Sequence, residues 1–175
     1  MPGRPATRSY RLASSVGTWH AVFTEWGLRE LRLPGISGDP ALPADPPLTD
    51  QEGAWGERLQ KALALRLKRR AVGLPWELFD LRERPPFFVR VWKAMHGIPF
   101  GSVRTYAQMA EEAGSPAALR AAGQACGSNP IVLFIPCHRV VAANGPGGFG
   151  AGLDWKYRLL ALEGVKLDGL RSEAP

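Results

Sequence analysis

The sequence predicts an α+β chain with two parts: a small N-terminal α/β domain over residues 1–84 and an α-helical domain over residues 85–175. Three observations predict it. Apolar and polar residues alternate over Thr18–Leu33, as in half-buried strands; a basic amphipathic stretch follows at Ala54–Arg70; and beyond Pro85-Pro86 the chain breaks into short helical segments punctuated by Gly and Pro.

Within TWHAVFTEWGLRELRL, residues 18–33, two short strands flank a turn at Glu25–Gly27, giving a hairpin. Pro34–Pro47 is rich in Pro, Gly and Asp, sustains neither period, and is expected to be a loop. In Ala54–Arg70, Leu59, Leu63 and Leu67 recur at a spacing of four with Ala62 beside them, so one helical face is apolar and the opposite one basic. Gly73–Arg84 mixes helix and strand signals. The pair Pro85-Pro86 then disfavours helix in the residue before it and marks the domain linker.

In the second half, Phe87–Met95 is apolar on one side and stops near Gly97-Ile98-Pro99. Thr105 and Gln108 have capping-box spacing, so a helix is expected from there to about Ala113, with Gly114 ending it. Ser115 as cap and Pro116 at the first helical position start another, running through Arg120 to about Cys126. So short a connection suggests a helix-turn-helix, whose second helix docks either in a DNA groove or against another protein helix. That second helix, PAALRAAGQAC, is nearly all small residues with a single projecting charge, Arg120, which permits close approach of its backbone to a partner.

Composition narrows the class. The 175 residues are 45% hydrophobic and 22% charged, the balance of a folding globular chain. No stretch approaches the ~18–20 apolar residues of a membrane span, and MPGRPATRSYRLASS lacks a signal-peptide core, so a soluble, cytoplasmic protein with no membrane partner is expected. The net charge of +6 and pI of about 9.8 favour a polyanionic partner, nucleic acid ahead of a membrane surface. From Arg58 to Lys93 ten basic residues face three acidic ones, a local +7 that reads either as a phosphate-binding face or as a solvated helix surface. Cys126 and Cys137 are the only cysteines, which argues for free thiols rather than a disulfide framework.

The chemistry concentrates behind Asn129-Pro130 and the apolar run IVLFIP, where Cys137, His138 and Arg139 follow one another. A thiol attacks as its thiolate, and a neighbouring imidazole or cation raises the thiolate fraction. Sequence adjacency alone does not make the side chains face one another.

The full string Ile135-Pro136-Cys137-His138-Arg139-Val140 resembles the active-site signature of the O6-alkylguanine-DNA alkyltransferases. Four further pieces agree in order and spacing: Gly101–Tyr106, the Arg120 helix, Ser128-Asn129-Pro130, and Leu160-Ala161-Leu162-Glu163-Gly164. The resemblance covers about Phe87–Val165, and the N-terminal half is similar to the family's ribonuclease H-like α/β domain only loosely.

The resemblance implies a repair protein that moves an alkyl group from O6 of guanine, and in the wider family from O4 of thymine, onto its own cysteine. It implies Cys137 as nucleophile and acceptor, His138 as base through a water, Glu163 orienting that imidazole, Asn129 bracing the turn, and Tyr106 assisting the departing guanine. Arg120 would fill the gap left by a flipped base, with Ala121, Thr105 and Tyr106 also at the DNA, in the minor groove of a duplex. Val140, Val141, Phe149 and Gly150 would line the substrate pocket, although the glycine-rich segment Gly145–Gly152 reads equally as a plain turn. Some relatives replace the reactive Cys by Trp and bind lesions without repairing them; keeping Cys137 implies repair. No cofactor or metal is expected, since two Cys and three His offer no ligand cluster. The protein would act as a monomer and once per molecule. Against this stand a DNA-binding module with an inert Cys137, and a thiol hydrolase with a Cys137–His138 dyad.

Overall fold

Strand β2 (Gly17–Thr24) buries Trp19, Ala21 and Phe23 while the residues between them stay partly exposed, the period-two pattern of a one-faced sheet. The computed structural model describes residues 6–35 and 49–166. It places β2 between β1 (Arg8–Ser14) and β3 (Gly27–Arg32) in an antiparallel sheet of order β1-β2-β3. The expected hairpin is β2–β3. Strand β1 is an addition: RSYRLAS alternates too weakly to be read alone and becomes a strand by pairing along the length of β2. Most of the Pro34–Pro47 loop lies outside the described residues.

Cα packing divides the chain into two units, residues 1–82 with 130–132, and residues 83–129 with 133–175. In the first, helix α1 (Asp50–Leu67) packs on β1 and β3. It starts four residues earlier than the apolar spacing suggested, because Thr49 and Glu52 form a capping box: the Glu52 amide donates to the Thr49 hydroxyl (3.3 Å) and the Thr49 amide to the Glu52 carboxylate (2.8 Å). Leu59, Ala62 and Leu63 are buried as expected, but Leu67 is only half-buried and Arg66 takes the inner position. The basic run is therefore no single face. It is shared between the two units, Arg66 is buried, and Arg82 lies 3.4 Å over the Trp26 ring and binds Asp80.

The outer edge of β3 is closed by two isolated bridges, Leu28 with Phe79 and Leu31 with Ile131. The second is why residues 130–132 belong to this unit: the Leu31 amide donates to Pro130 at 2.8 Å and the Val132 amide to Leu31 at 3.2 Å. Such bridges satisfy an edge that would otherwise offer a row of unpaired peptide groups.

In the second unit α2 (Pro86–His96) begins with proline at its first position, where the missing N–H costs nothing. Thr105 caps α3 (Tyr106–Glu112) through the capping box with Gln108. Helix α4 (Leu119–Gly127) starts later than expected. Ser115 does not cap it; the Ala118 amide donates back to the Ser115 carbonyl (2.9 Å), so Ser115–Ala118 forms a separate turn and Ala118 becomes the cap. The three helices pack on one another, tied by the Trp92 indole donating to the Ala125 carbonyl (2.7 Å) and Arg90 to that of Ala113 (3.0 Å). A two-residue parallel ladder pairs β4 (Arg104–Thr105) with β5 (Val140–Val141), and α5 (Leu153–Leu162) follows. Among the described residues no helix is long and apolar enough to cross a membrane.

Gly27 occupies φ +142°, and a Cβ there would lie 2.2 Å from the Leu78 carbonyl oxygen. Gly27→Ala is expected to lower the urea midpoint by an amount equivalent to at least about 1–3 kcal/mol, the usual cost of forcing a side chain into such a conformation.

Candidate active site

Pro136 interrupts the apolar run and Val140-Val141 resume an extended path, so the three residues between them are compressed into a 3-10 turn, Cys137–Arg139. The Cys137 amide donates to Ile135 and the Arg139 amide to Pro136, both at 2.9 Å. The Asn129 side-chain amide donates to the Ile135 carbonyl at 2.6 Å and also to the Cys137 sulfur, bracing the turn from outside it.

Cys137 borders a cavity of about 140 Å³ whose other walls are Tyr106 of α3, Gly123, Cys126 and Gly127 of α4, and Gly148, Phe149 and Gly150 of the glycine-rich loop. Burial pushes the Cys137 thiol up, and the hydrogen bond from Asn129 and the charge of Lys156 only partly offset it. The resting group is therefore a thiol, and attack requires a base. Cys126 is packed against the Met95 sulfur (3.4 Å) and, by burial and the neighbouring Cys137, is pushed up to about 12. Two thiols border one cavity, and Cys137 is the one followed in the chain by an imidazole, that of His138.

The His138 Nε2 lies 2.9 Å from Glu163 Oε1 at the end of α5. Both side chains are buried. Glu163 also accepts from Arg139 Nε (2.7 Å), Arg139 Nη2 (2.8 Å) and the Gly101 amide (3.3 Å). Burial alone would raise its carboxyl, but the His138 and Arg139 hydrogen bonds and their charges outweigh this and hold it at about 2. In the tautomer that donates Nε2–H to Glu163, the lone pair of the ring is on Nδ1.

Tyr106 donates its hydroxyl to the Gly148 carbonyl (3.3 Å), and burial, with the nearby Cys126 and Cys137, raises its ionisation so that it stays protonated. Lys156 donates to the same carbonyl (3.1 Å) and to that of Val140 (2.6 Å). Wholly buried on α5, this lysine is lowered to about 8 by burial, against the opposing pull of the two thiols. It pins the glycine-rich loop to β5, which follows the 3-10 turn. Among the described residues no group of three His, Cys, Asp or Glu side chains is placed to share a metal ion.

Of the residues expected at the site, Cys137, Tyr106, Phe149 and Gly150 meet at the cavity, while His138, next in the 3-10 turn, pairs with Glu163, and Asn129 bonds the turn. Val140 and Val141 do not line it: the β4–β5 ladder turns both into the core. Thr105 is engaged in capping α3, Arg120 is exposed, and Ala121 is half-buried.

Residues 86–165 match the model of the 6-O-methylguanine DNA methyltransferase DNA-binding domain. A crystal structure of a Mycobacterium tuberculosis O6-methylguanine methyltransferase is 30% identical with a TM-score of 0.70, over 90% of this chain and 92% of that one. The Mycobacterium tuberculosis protein OGT, crystallised in complex with DNA, is 32% identical with a TM-score of 0.72, over 90% of this chain and 91% of that one. This chain belongs to the O6-alkylguanine-DNA alkyltransferase family. A methylated-DNA–protein-cysteine methyltransferase of Mycolicibacterium paratuberculosis is 53% identical over 75 residues, 42% of this chain and 46% of that protein. A Saccharolobus islandicus protein of the same name is 50% identical over 82 residues, 47% of this chain and 53% of that one. These matches span about half the length of the curated relatives.

Three groups at or behind the cavity escaped sequence reasoning: Lys156, the fork of Arg139 on Glu163, and the thiol of Cys126 in the cavity wall. Lys156 did carry a signal. With Leu159, Leu160 and Glu163 it lies on one helical stripe at spacings of three, four and seven, a charge on an inward face.

Glu163 is held below its ordinary value of 4.5, so the stability it contributes is complete above about pH 4.5 and is lost as pH falls toward 2. Urea midpoints measured from pH 6 down to pH 2 are expected to fall in that window, and Glu163→Gln, less stable at pH 6, is expected to show a shallower fall.

Proposed function

We propose that the protein repairs alkylated DNA by transferring the alkyl group of O6-alkylguanine irreversibly to Cys137. The observation that carries this reading is the cavity itself: the Cys137 thiol in its wall, a buried imidazole–carboxylate pair that begins at the next residue, and the Tyr106 hydroxyl on α3. The Cys137 proton passes through a bridging water to His138 as the S–C bond forms and the C–O6 bond breaks. The electron pair leaves on guanine, which takes a hydrogen from Tyr106 where negative charge develops. The thioether has no route back to thiol, so each molecule acts once.

Supporting the DNA-bound half of this reading is helix α4. Arg120, Gly123 and Gly127 fall on one stripe at spacings of three and seven, and the two glycines border the cavity. Arg120 therefore stands one turn from the cavity on the same side. It enters the minor groove of double-stranded DNA and occupies the space of a nucleotide rotated into the cavity, while Ala121 and Thr105 lie against the backbone. In this reading α3 and α4 are a helix-turn-helix, residues 1–84 are a ribonuclease H-like domain, residues 85–175 are the DNA-binding and transfer domain, and the protein works as a monomer in the cytoplasm.

The test is intact mass after incubation with an oligonucleotide containing O6-methylguanine. One added methyl is expected on the wild type and none on Cys137→Ala; DNA binding without any mass gain would replace repair by lesion sensing. Tyr106→Phe is expected to slow transfer roughly 10²- to 10³-fold, the loss typical of a donor to a developing anion. Gly147 has φ +69°, and a Cβ there would sit 2.7 Å from the Tyr106 ring and 2.9 Å from its hydroxyl. Gly147→Ala is expected to displace Tyr106 and slow transfer to a similar degree, with binding of undamaged DNA little changed in a filter or anisotropy assay.

A further inference from the structure

Four large apolar side chains among the described residues are exposed: Val16, Trp26, Leu119 and Leu153. Single apolar side chains on a surface are ordinary, and two of these have a local account: Trp26 carries the Arg82 guanidinium 3.4 Å over its ring, and Val16 sits in the turn between β1 and β2. Leu119 is the most exposed of the four, at 51%, and it is the first residue of α4, next to Arg120. The residues that α4 buries are Ala122, Ala125 and Cys126, and Leu119 is not among them.

Helical spacing sets Leu119 and Arg120 at the same end of the cavity. Gly123, which borders it, lies three residues after Arg120 and four after Leu119, and Cys126, which also borders it, lies seven after Leu119. The two side chains therefore stand side by side one turn N-terminal to the cavity, one cationic and one apolar. The remainder of α4 is Ala, Gly, Gln and Cys, with no acidic residue. A Cβ at Gly123 would meet no atom within 4 Å, so the helix surface between Leu119 and the cavity is open to a body from outside.

We propose that Leu119 is an apolar wedge for duplex DNA: when the alkylated nucleotide rotates into the cavity, the leucine side chain enters the minor groove beside Arg120 and covers the base-pair face that the rotation leaves unstacked. The proposal rests on the alkyl-transfer reading and adds to it a residue that acts on the opening of the duplex rather than on the transfer. Rotating a nucleotide out of the stack is unfavourable, in part because the faces of the neighbouring bases meet water. Those faces are apolar, and an aliphatic side chain set against one removes both surfaces from water at once. Arg120 keeps its hydrogen-bonding edge for polar partners, the base left without its pair and the phosphates.

The occupant is duplex DNA rather than a second copy of this chain. The charge beside Leu119 on α4 is cationic, the chain carries a net +6 that repels a like copy, and the cavity that receives the base is one turn away.

The experiment is single-turnover methyl transfer at saturating protein, read by intact mass, from two duplexes: O6-methylguanine opposite cytosine, and the same lesion opposite an abasic site, where rotation out of the stack is easier. Wild type is compared with Leu119→Ala, Leu119→Gln and Leu119→Met, whose thermal melts are expected to match it because the side chain is exposed. On the paired duplex Leu119→Ala and Leu119→Gln are expected to be slower by roughly three- to tenfold, the loss of about half the burial of a leucine. Leu119→Met, which keeps an apolar chain of similar reach, is expected to stay within about twofold of wild type. Opposite the abasic site the deficit of Leu119→Ala is expected to shrink to about twofold or less, and binding of undamaged duplex, read by anisotropy, to change little. The idea is overturned if Leu119→Ala transfers from the paired duplex as fast as wild type, or if it loses the same factor on both duplexes, which marks a general contact with DNA. A fall in the sedimentation mass of the free protein on Leu119→Ala, with duplex transfer unaltered, would assign the side chain to a contact between copies and overturn it as well. Wild type gaining no methyl group from either duplex sinks the transfer reading itself, whereas wild-type transfer matched by every variant sinks the wedge alone.

Discussion

Much of the second unit depends on one buried carboxylate. Glu163 sits where α5 ends, 8% exposed, and a charge so placed must be matched by donors from elsewhere in the fold. They arrive from the 3-10 turn, through His138 and Arg139, and from the Gly101 amide. Gly101 is itself constrained: at φ +78° its Cβ position lies 3.0 Å from the Glu163 carbonyl. One side chain thus joins the end of a helix, the 3-10 turn and the loop before β4, and it holds the His138 ring in the same act.

The same economy governs thiol selectivity. Cys126 and Cys137 border one cavity, and burial raises both. What separates them is the company each keeps. The charge of Lys156 acts on both, but Cys137 also has an amide from Asn129 and a histidine next in sequence, whereas Cys126 has the Met95 sulfur. Reactivity is a property of the surroundings rather than of the thiol.

Glycine shapes the cavity from two sides. Gly123 and Gly127 on α4 and Gly148 and Gly150 on the loop present backbone in place of side chains, which leaves Tyr106 and Phe149 as the large groups lining the cavity with Cys137. A loop with so little side-chain packing of its own needs external ties, and Lys156 supplies them at Gly148 and Val140. Burying a lysine without a carboxylate is costly, and its position between loop and strand is the compensation visible in the structure.

The sequence by itself determined what local chemistry can specify. The hairpin, the proline boundary, the Thr105–Gln108 cap and the placement of Cys137 at a break between apolar runs all follow from neighbours within a few residues. Local reading erred where two local signals competed, as at Ser115-Pro116, where a turn won over a helix cap, and where a weak strand waited on a partner, as at β1. Only the tertiary structure decided that Arg139 and His138 share Glu163 across 24 and 25 residues, that Lys156 reaches Val140 across 16, and that Tyr106 reaches Gly148 across 42. Those contacts leave no period in the chain. They exist because folding brings distant groups into a water-poor interior, where each buried polar atom must find a partner wherever the backbone happens to deliver one.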